Sequence, residues 1–180
     1  MVAAMPDFSA DHFVLFGLPR AQRVEGAELD RRFRQLQAEV HPDRHVQAGV
    51  AGRRLSMQWA TRVNEAYQTL KSPGARARYL LGLLGHDPQV ESNTAMPTEF
   101  LMDQMALREA VTEARHGNDA ATLDATRQRL SQEIAIAYER LAELIDTHKD
   151  FQAATGLARQ LMFQEKLLDE IDDALETVTF

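Results

Sequence analysis

The chain has 180 residues, 44% of them apolar, with no cysteine and a formal net charge of −7. This is enough apolar material for a packed core, and it excludes disulfides, thiolate zinc sites and thiol nucleophiles. No apolar run reaches membrane-span length, and the start MVAAMPDF lacks both the basic and the apolar region of a signal peptide, so a soluble, cytoplasmic protein with no membrane partner is expected.

The charge is unevenly spread. Residues 1–85 carry 12 Lys+Arg against 8 Asp+Glu, a net of +4, whereas residues 86–180 carry 8 against 19, a net of −11. Such a split points to two halves with different partners.

Apolar residues recur with a 3.6-residue period almost throughout, which predicts an all-α protein. Ser9 is a candidate cap for a short helix carrying Phe13 and Phe16, and Gly17-Leu18-Pro19 ends it. The next helix has Leu29, Phe33, Leu36 and Val40 on one stripe, and Pro42 stops it because the residue before proline is driven out of the helical region. A loop with Gly49 and Gly52 leads to a third helix with the stripe Leu55, Trp59, Val63, Tyr67 and Leu70, closed by Ser72-Pro73. A short fourth helix from near Ala75 carries Tyr79, Leu80, Leu83 and Leu84.

The stretch Gly85-His86-Asp87-Pro88 and the polar run up to Pro97 mark a domain boundary. Three longer helices follow. They run from about Pro97 to His116, from about Ala120 to Asp146 and over roughly 150–178. Gly117-Asn118-Asp119 supplies the first turn and the next cap. The second stripe is Leu123, Leu130, Ile134, Ala137, Leu141 and Leu144, and the third is Leu157, Leu161, Leu168, Ile171 and Leu175. Short turns between long helices predict an antiparallel three-helix bundle.

The stretch AEVHPDRHVQ, residues 38–47, joins the second and third helices. His41, Asp43 and His45 are possible metal ligands, but Pro42 breaks the helical spacing that would bring the two histidines together. Nothing nearby forms a nucleophile or an oxyanion hole, so no catalytic residue and no metal or other cofactor is expected. Pro and Asp are common turn residues, which leaves a plain turn open. Arg31 and Arg34 lie opposite the apolar stripe of the preceding helix, with Arg44 just past its end. A polar loop beside a basic helical face suits docking of an acidic partner, although many basic stripes are simply solvated.

Residues 10–85 resemble a J domain. The resemblance rests on Phe13-Val14-Leu15-Phe16-Gly17-Leu18, on Phe33 through His41-Pro42-Asp43, on Val63-Asn64-Glu65-Ala66-Tyr67, and on Leu70, Pro73, Arg76 and Tyr79. It implies a DnaK-type heat-shock ATPase as partner. His41, Pro42, Asp43, Arg31, Arg34 and Arg44 are the implied contacts that stimulate ATP hydrolysis. Glu39 and Gln35 dilute the basic helix usual in such domains.

On the helix from Pro97, Phe100, Leu107, Val111 and Ala114 share one side. Leu101, Met102 and Met105 fall roughly 100° to 200° away from Phe100, and Glu109 lies with them. Phe163 likewise falls off the stripe of the last helix. Phase alone leaves two choices: these residues thicken a core, or they meet a partner.

Phe100-Leu101-Met102-Asp103-Gln104-Met105-Ala106-Leu107-Arg108-Glu109, Leu161-Met162-Phe163-Gln164-Glu165-Lys166-Leu167 and Arg76-Ala77-Arg78-Tyr79-Leu80-Leu81 are similar to the HscB family, over about Asp11 to Leu175. Family members often have an acid where Ala106 stands and a leucine where Met105 stands. The resemblance implies an L-shaped, all-α co-chaperone, not an enzyme. Its J domain, an antiparallel helical hairpin with short flanking helices, would occupy residues 8–86, a linker 87–96 and the three-helix bundle 97–180. It implies an HscA-type ATPase as one partner and an IscU-type iron–sulfur scaffold as the other, the scaffold held by Leu101, Met102, Met105, Arg108, Glu109, Glu113 and Phe163. The absence of cysteine fits a bacterial member. A general-purpose J protein for unfolded clients is the alternative. A nucleic-acid binder using Arg31, Arg34, Arg53 and Arg54 is disfavoured by the overall negative charge.

Overall fold

The computed structural model describes residues 9–40, 49–88 and 96–178, and the described chain divides into two compact units, Met1–Leu80 and Leu81–Phe180. Among the described residues all regular structure is helical.

In the first unit, α1 (His12–Leu15) is capped by Asp11 and not by Ser9: the Asp11 carboxylate accepts from Val14 N–H at 3.0 Å and is itself held by Arg20. An ionised Asp at this position also suits the positive end of the helix dipole, which a serine hydroxyl does not. Gly17 then turns the chain at φ 60°, and a side chain there would collide with the Arg32 guanidinium. That space is needed, because Arg32 reaches in to donate to the Phe16 and Gly17 carbonyls at 2.6 and 2.7 Å.

Helices α2 (Gly26–Val40) and α3 (Gly49–Lys71) form an antiparallel hairpin. Tyr67 defines its register: its ring stacks on Phe33 at 3.9 Å, and its hydroxyl donates to Asp30 at 2.7 Å and accepts from Lys71 at 2.6 Å. Leu29, Val40, Trp59, Val63, Ala66 and Leu70 fill the interior. Leu55, expected in this stripe, is exposed, and Ser56 is buried in its place. At 100° per residue Ser56 lies roughly 30° from the centre of the stripe and Leu55 roughly 70°.

Helix α4 (Pro73–Leu83) begins two residues earlier than expected, with Pro73 in the first turn, where a missing N–H costs nothing. Arg76 pins it by donating to the Gln22 and Leu70 carbonyls. Tyr79 accepts from His12 N–H at 2.9 Å and lies flat on the His12 ring at 4.2 Å.

The second unit is an up-down-up bundle of α5 (Thr98–His116), α6 (Ala120–Ala142) and α7 (Phe151–Val178). The left-handed residue of the α5–α6 turn is Asn118, not Gly117, and Asp119 caps α6 as the sequence predicts. Helix α6 does not run on regularly to Asp146. It widens into a π-helical segment, Glu143–His148, before Lys149 turns the chain at φ 57°.

The α7 seam is also not the expected leucine stripe. Ala154, Ala158, Leu161, Leu167, Ile171 and Ala174 are buried, whereas Leu157, Leu168 and Leu175 are half-buried. Alanines at the centre let two neighbouring helices approach closely, and the leucines cover the flanks of a wide buried arc. Across these helices Arg108 of α5 pairs with Glu170 of α7, and Arg127 of α6 with Asp172.

The His12 Nδ1 is buried without a hydrogen-bond partner. Burial, and then the Arg62 charge, hold this imidazole below its ordinary value of 6.5, with Asp11 and Glu65 opposing. The folded state therefore keeps His12 neutral while the unfolded chain takes up a proton. The His12 contribution to stability is complete above about pH 6.5 and is lost as pH falls from there toward the lower folded value. In urea melts, His12→Phe, which keeps the ring stack, should lose less stability than the wild type between about pH 7.5 and about pH 5.5.

Candidate functional site

Two surfaces carry the residues singled out in the sequence, one on each unit. On the first, Arg31 and Arg34 lie on the exposed side of α2, away from Leu29 and Val40. Arg31 is not an uncommitted charge: it holds Glu28 through two hydrogen bonds of 2.8 and 2.7 Å, and Arg32 contacts the same carboxylate. The hydrogen bond from Arg31, and then that from Arg32, hold the Glu28 carboxyl at about 2. Arg34 stands exposed on the same helix, near Asp30. His41, Pro42, Asp43 and Arg44, together with His45, lie outside the described residues. Among the described residues no group of three His, Asp or Glu side chains could hold a metal ion.

On the second unit, α5 separates its two apolar stripes physically. Val111 and Ala114 are buried, and Phe100 and Leu107 half-buried, on the bundle side. Leu101, Met102 and Met105 are 37%, 66% and 70% exposed on the other. Glu109 and Glu113 continue this outer face one and two turns on, both exposed. Arg108 points across to Glu170, with Nε 3.1 Å from Oε2, so it serves the α5–α7 contact. Phe163 of α7 is half-buried and meets the Phe100 ring edge-on at 6.4 Å between centroids. The sequence reading thus finds the outer apolar face of α5, but it misses that Phe163 is braced against the inner stripe.

It also misses Gln104, which is only 6% exposed, with Oε1 shielded and unpaired. The signal was available in the helical phase, since Gln104 stands four residues after Phe100 and seven before Val111 on the inner side.

Residues 96–172 match the family model described as the HSCB C-terminal oligomerisation domain. The chain is 47% identical to the Co-chaperone protein HscB homolog of Aromatoleum aromaticum over 172 residues, covering 96% of this chain and 97% of that one. It is 46% identical to its counterpart in an Azoarcus species over the same share of both. Chaperone HscB from Vibrio cholerae superposes with a TM-score of 0.81 at 32% identity, over 94% of this chain and 99% of the other. Human co-chaperone protein HscB does so with a TM-score of 0.85 at 28% identity, over 93% and 83%. The protein thus belongs to the HscB family of co-chaperones, with a J domain followed by a C-terminal helical bundle.

Methionines this exposed contribute little to folding, so Met102→Ala and Met105→Ala should each leave stability within about 0.5 kcal/mol of the wild type. Phe163→Ala removes a half-buried ring and its edge contact and should cost about 2 kcal/mol. Urea denaturation separates the two cases.

Proposed function

We propose that the protein couples two partners: its J domain stimulates the ATPase of an HscA-type heat-shock chaperone, and its C-terminal bundle delivers an IscU-type iron–sulfur scaffold to that chaperone. The observation that carries this is the outer face of α5, where Leu101, Met102 and Met105 stand exposed in a row beside Glu109 and Glu113. Exposed Met and Leu side by side have no role in the bundle core, and their adaptable shapes suit a protein partner. The opposite charges of the two halves favour different partners for each.

In this mechanism Asp43 makes a charge-assisted contact with an arginine of the ATPase, and His41 and Pro42 act with it. Arg31, Arg34 and Arg44 supply the basic face beside it. The co-chaperone biases its partner's conformational equilibrium and performs no chemistry of its own. Carrying both binding surfaces on one chain raises the effective concentration of scaffold at the ATPase. With no cysteine it offers no thiolate to a cluster, so it presents the scaffold and does not hold the cluster. The setting of this work is the bacterial cytoplasm.

The steady-state ATPase rate of the HscA-type chaperone with its scaffold is the direct test. Wild type should stimulate it and Asp43→Asn should return it to the basal rate; equal stimulation by both would remove Asp43 from the mechanism. Leu101→Ala should raise the Kd for the scaffold about tenfold, the size expected of a buried apolar anchor. Equal affinity for assorted unfolded clients would instead favour a general-purpose co-chaperone.

A further inference from the structure

Farther along α5, between α5 and α7, lies a groove of about 510 Å³. We propose that it takes an Asp or Glu side chain of the protein that covers Leu101 and Met105, and so fixes the direction in which that protein docks. The inference rests on reading the outer face of α5 as a partner surface.

The groove and the apolar row share one side of the helix. At 100° per residue, Leu101, Met105, Arg108, Thr112 and Arg115 fall within about 80° of one another, and Thr112 lies about 10 Å beyond Met105 along the axis. Helix α7 runs alongside, with Phe163 against Phe100 and Glu170 against Arg108. A stable protein–protein contact covers roughly 800 Å² of each partner, a patch roughly 30 Å across, so a protein seated on Leu101 and Met105 reaches the groove as well.

Val111 and Ala174, both buried, give the groove its apolar lining, and Thr112, Arg115 and the Arg108–Glu170 pair give it polar groups. Arg115 decides the ligand. It is exposed, and among the described residues no carboxylate pairs with it, although Asp and Glu outnumber Lys and Arg 19 to 8 in this half of the chain. Nor is it needed at the end of its own helix: the carbonyls of Glu113, Ala114 and Arg115 accept from the amides of Gly117, Asp119 and Asn118 at 2.9, 2.8 and 3.2 Å. A guanidinium without a partner, beside an apolar lining, offers its fork to a carboxylate while the methylenes of an Asp or Glu rest on the valine and alanine. Glu170 already offsets Arg108, so Arg115 leaves the groove one positive charge in excess.

The charges therefore have a direction. Glu109 and Glu113 flank the apolar row on one side, and Arg108 and Arg115 flank it on the other. A partner that sets cations against the first pair and a carboxylate against the groove docks in register. Reversing it sets like charges together, which excludes that orientation. A nucleic acid, charged along its whole length, is repelled by the net −11 of this half.

The test is calorimetric titration of the full-length protein with the purified IscU-type scaffold. Arg115→Gln, at an exposed position where no ion pair is lost, should leave the urea midpoint unchanged and weaken binding about fivefold at low salt, with the difference closing at high salt. The sign separates a local contact from the general field. Removing a cation from an acidic half strengthens long-range attraction for a basic partner, so weakening requires a contact at Arg115 itself. Leu101→Ala should weaken binding at either salt. Wild-type or tighter affinity for Arg115→Gln, with Leu101→Ala still weakened, would overturn the groove and leave the outer face intact, Arg115 then being a solvated cation at a helix end. Saturable binding of inorganic phosphate that is lost in Arg115→Gln, with scaffold affinity unchanged, would reassign the groove to a free anion and overturn the proposal. Wild-type affinity in both variants would overturn both readings.

Discussion

The first unit depends on how Tyr67 ties α3 to α2. One side chain makes the face-on contact with Phe33, the hydrogen bond to Asp30 and the contact with the Lys71 ammonium. The apolar stack fixes the separation of the two helices, and the polar end fixes their axial register, because only one alignment brings Asp30 and Lys71 to the same hydroxyl. With that register set, Leu29 and Val40 must face Trp59, Val63 and Leu70, and Arg31 and Arg34 must face away. The basic side of α2 is therefore a consequence of the packing on its other side.

The second unit solves a different problem. Helix α7 sits against both neighbours, and its alanine-centred seam lets them approach closely. Helix α5 is covered on one side only. Its turn toward α6 is lined by alanines, and its outer turn carries Leu101, Met102 and Met105. A helix that needed only to complete the bundle would place polar residues at all these outer positions. The departure from that rule is local to the first half of α5, since farther along Glu109, Thr112, Glu113 and Arg115 restore a polar surface. Local departures from consistent patterning mark places where a sequence serves something other than its own fold.

Most of this architecture is legible in the sequence because it is periodic. The helix ends fall where Pro73, Pro97, Asn118 and Asp119 dictate, and the two stripes of α5 can be counted out at 100° per residue. What is not legible has two physical sources. Where a helix touches two neighbours, its buried arc widens, and the largest apolar residues move to the flanks while alanine takes the centre, so the leucines of α7 mislead. Where a polar residue takes a core position, pattern reasoning passes over it, as with Gln104, and with Ser56 in place of Leu55. Long-range polar ties such as Arg32 to the Phe16 carbonyl, or Arg76 to that of Gln22, leave no periodic trace at all. The outer face of α5 was visible as a second stripe, but phase could not say whether it lay in a core or in solvent; the burial of Val111 and Ala114 against the exposure of Met102 and Met105 decides that.

Magnitudes bear on what that face can do. Fully burying a Leu or Met side chain is worth roughly 1.5–3 kcal/mol, and Leu101 is already mostly covered, so sealing all three residues yields on the order of 5 kcal/mol. Association costs about 4–15 kcal/mol in lost translational and rotational freedom before any net affinity appears. Three apolar side chains therefore hold a partner weakly at best. A stable complex needs either a broader apolar footprint or polar contacts made where water is excluded. The first is limited, because beyond Met105 the outer face turns to Glu109 and Glu113. The second requires groups that are desolvated before the partner arrives, because only these regain a full hydrogen bond without giving up one to water. The acidic surround meanwhile raises the encounter rate with a basic partner while adding little to the final affinity. Apolar contact and a negative field are separable contributions, and the second unit carries exposed apolar side chains on α5 within a half of the chain that is net −11.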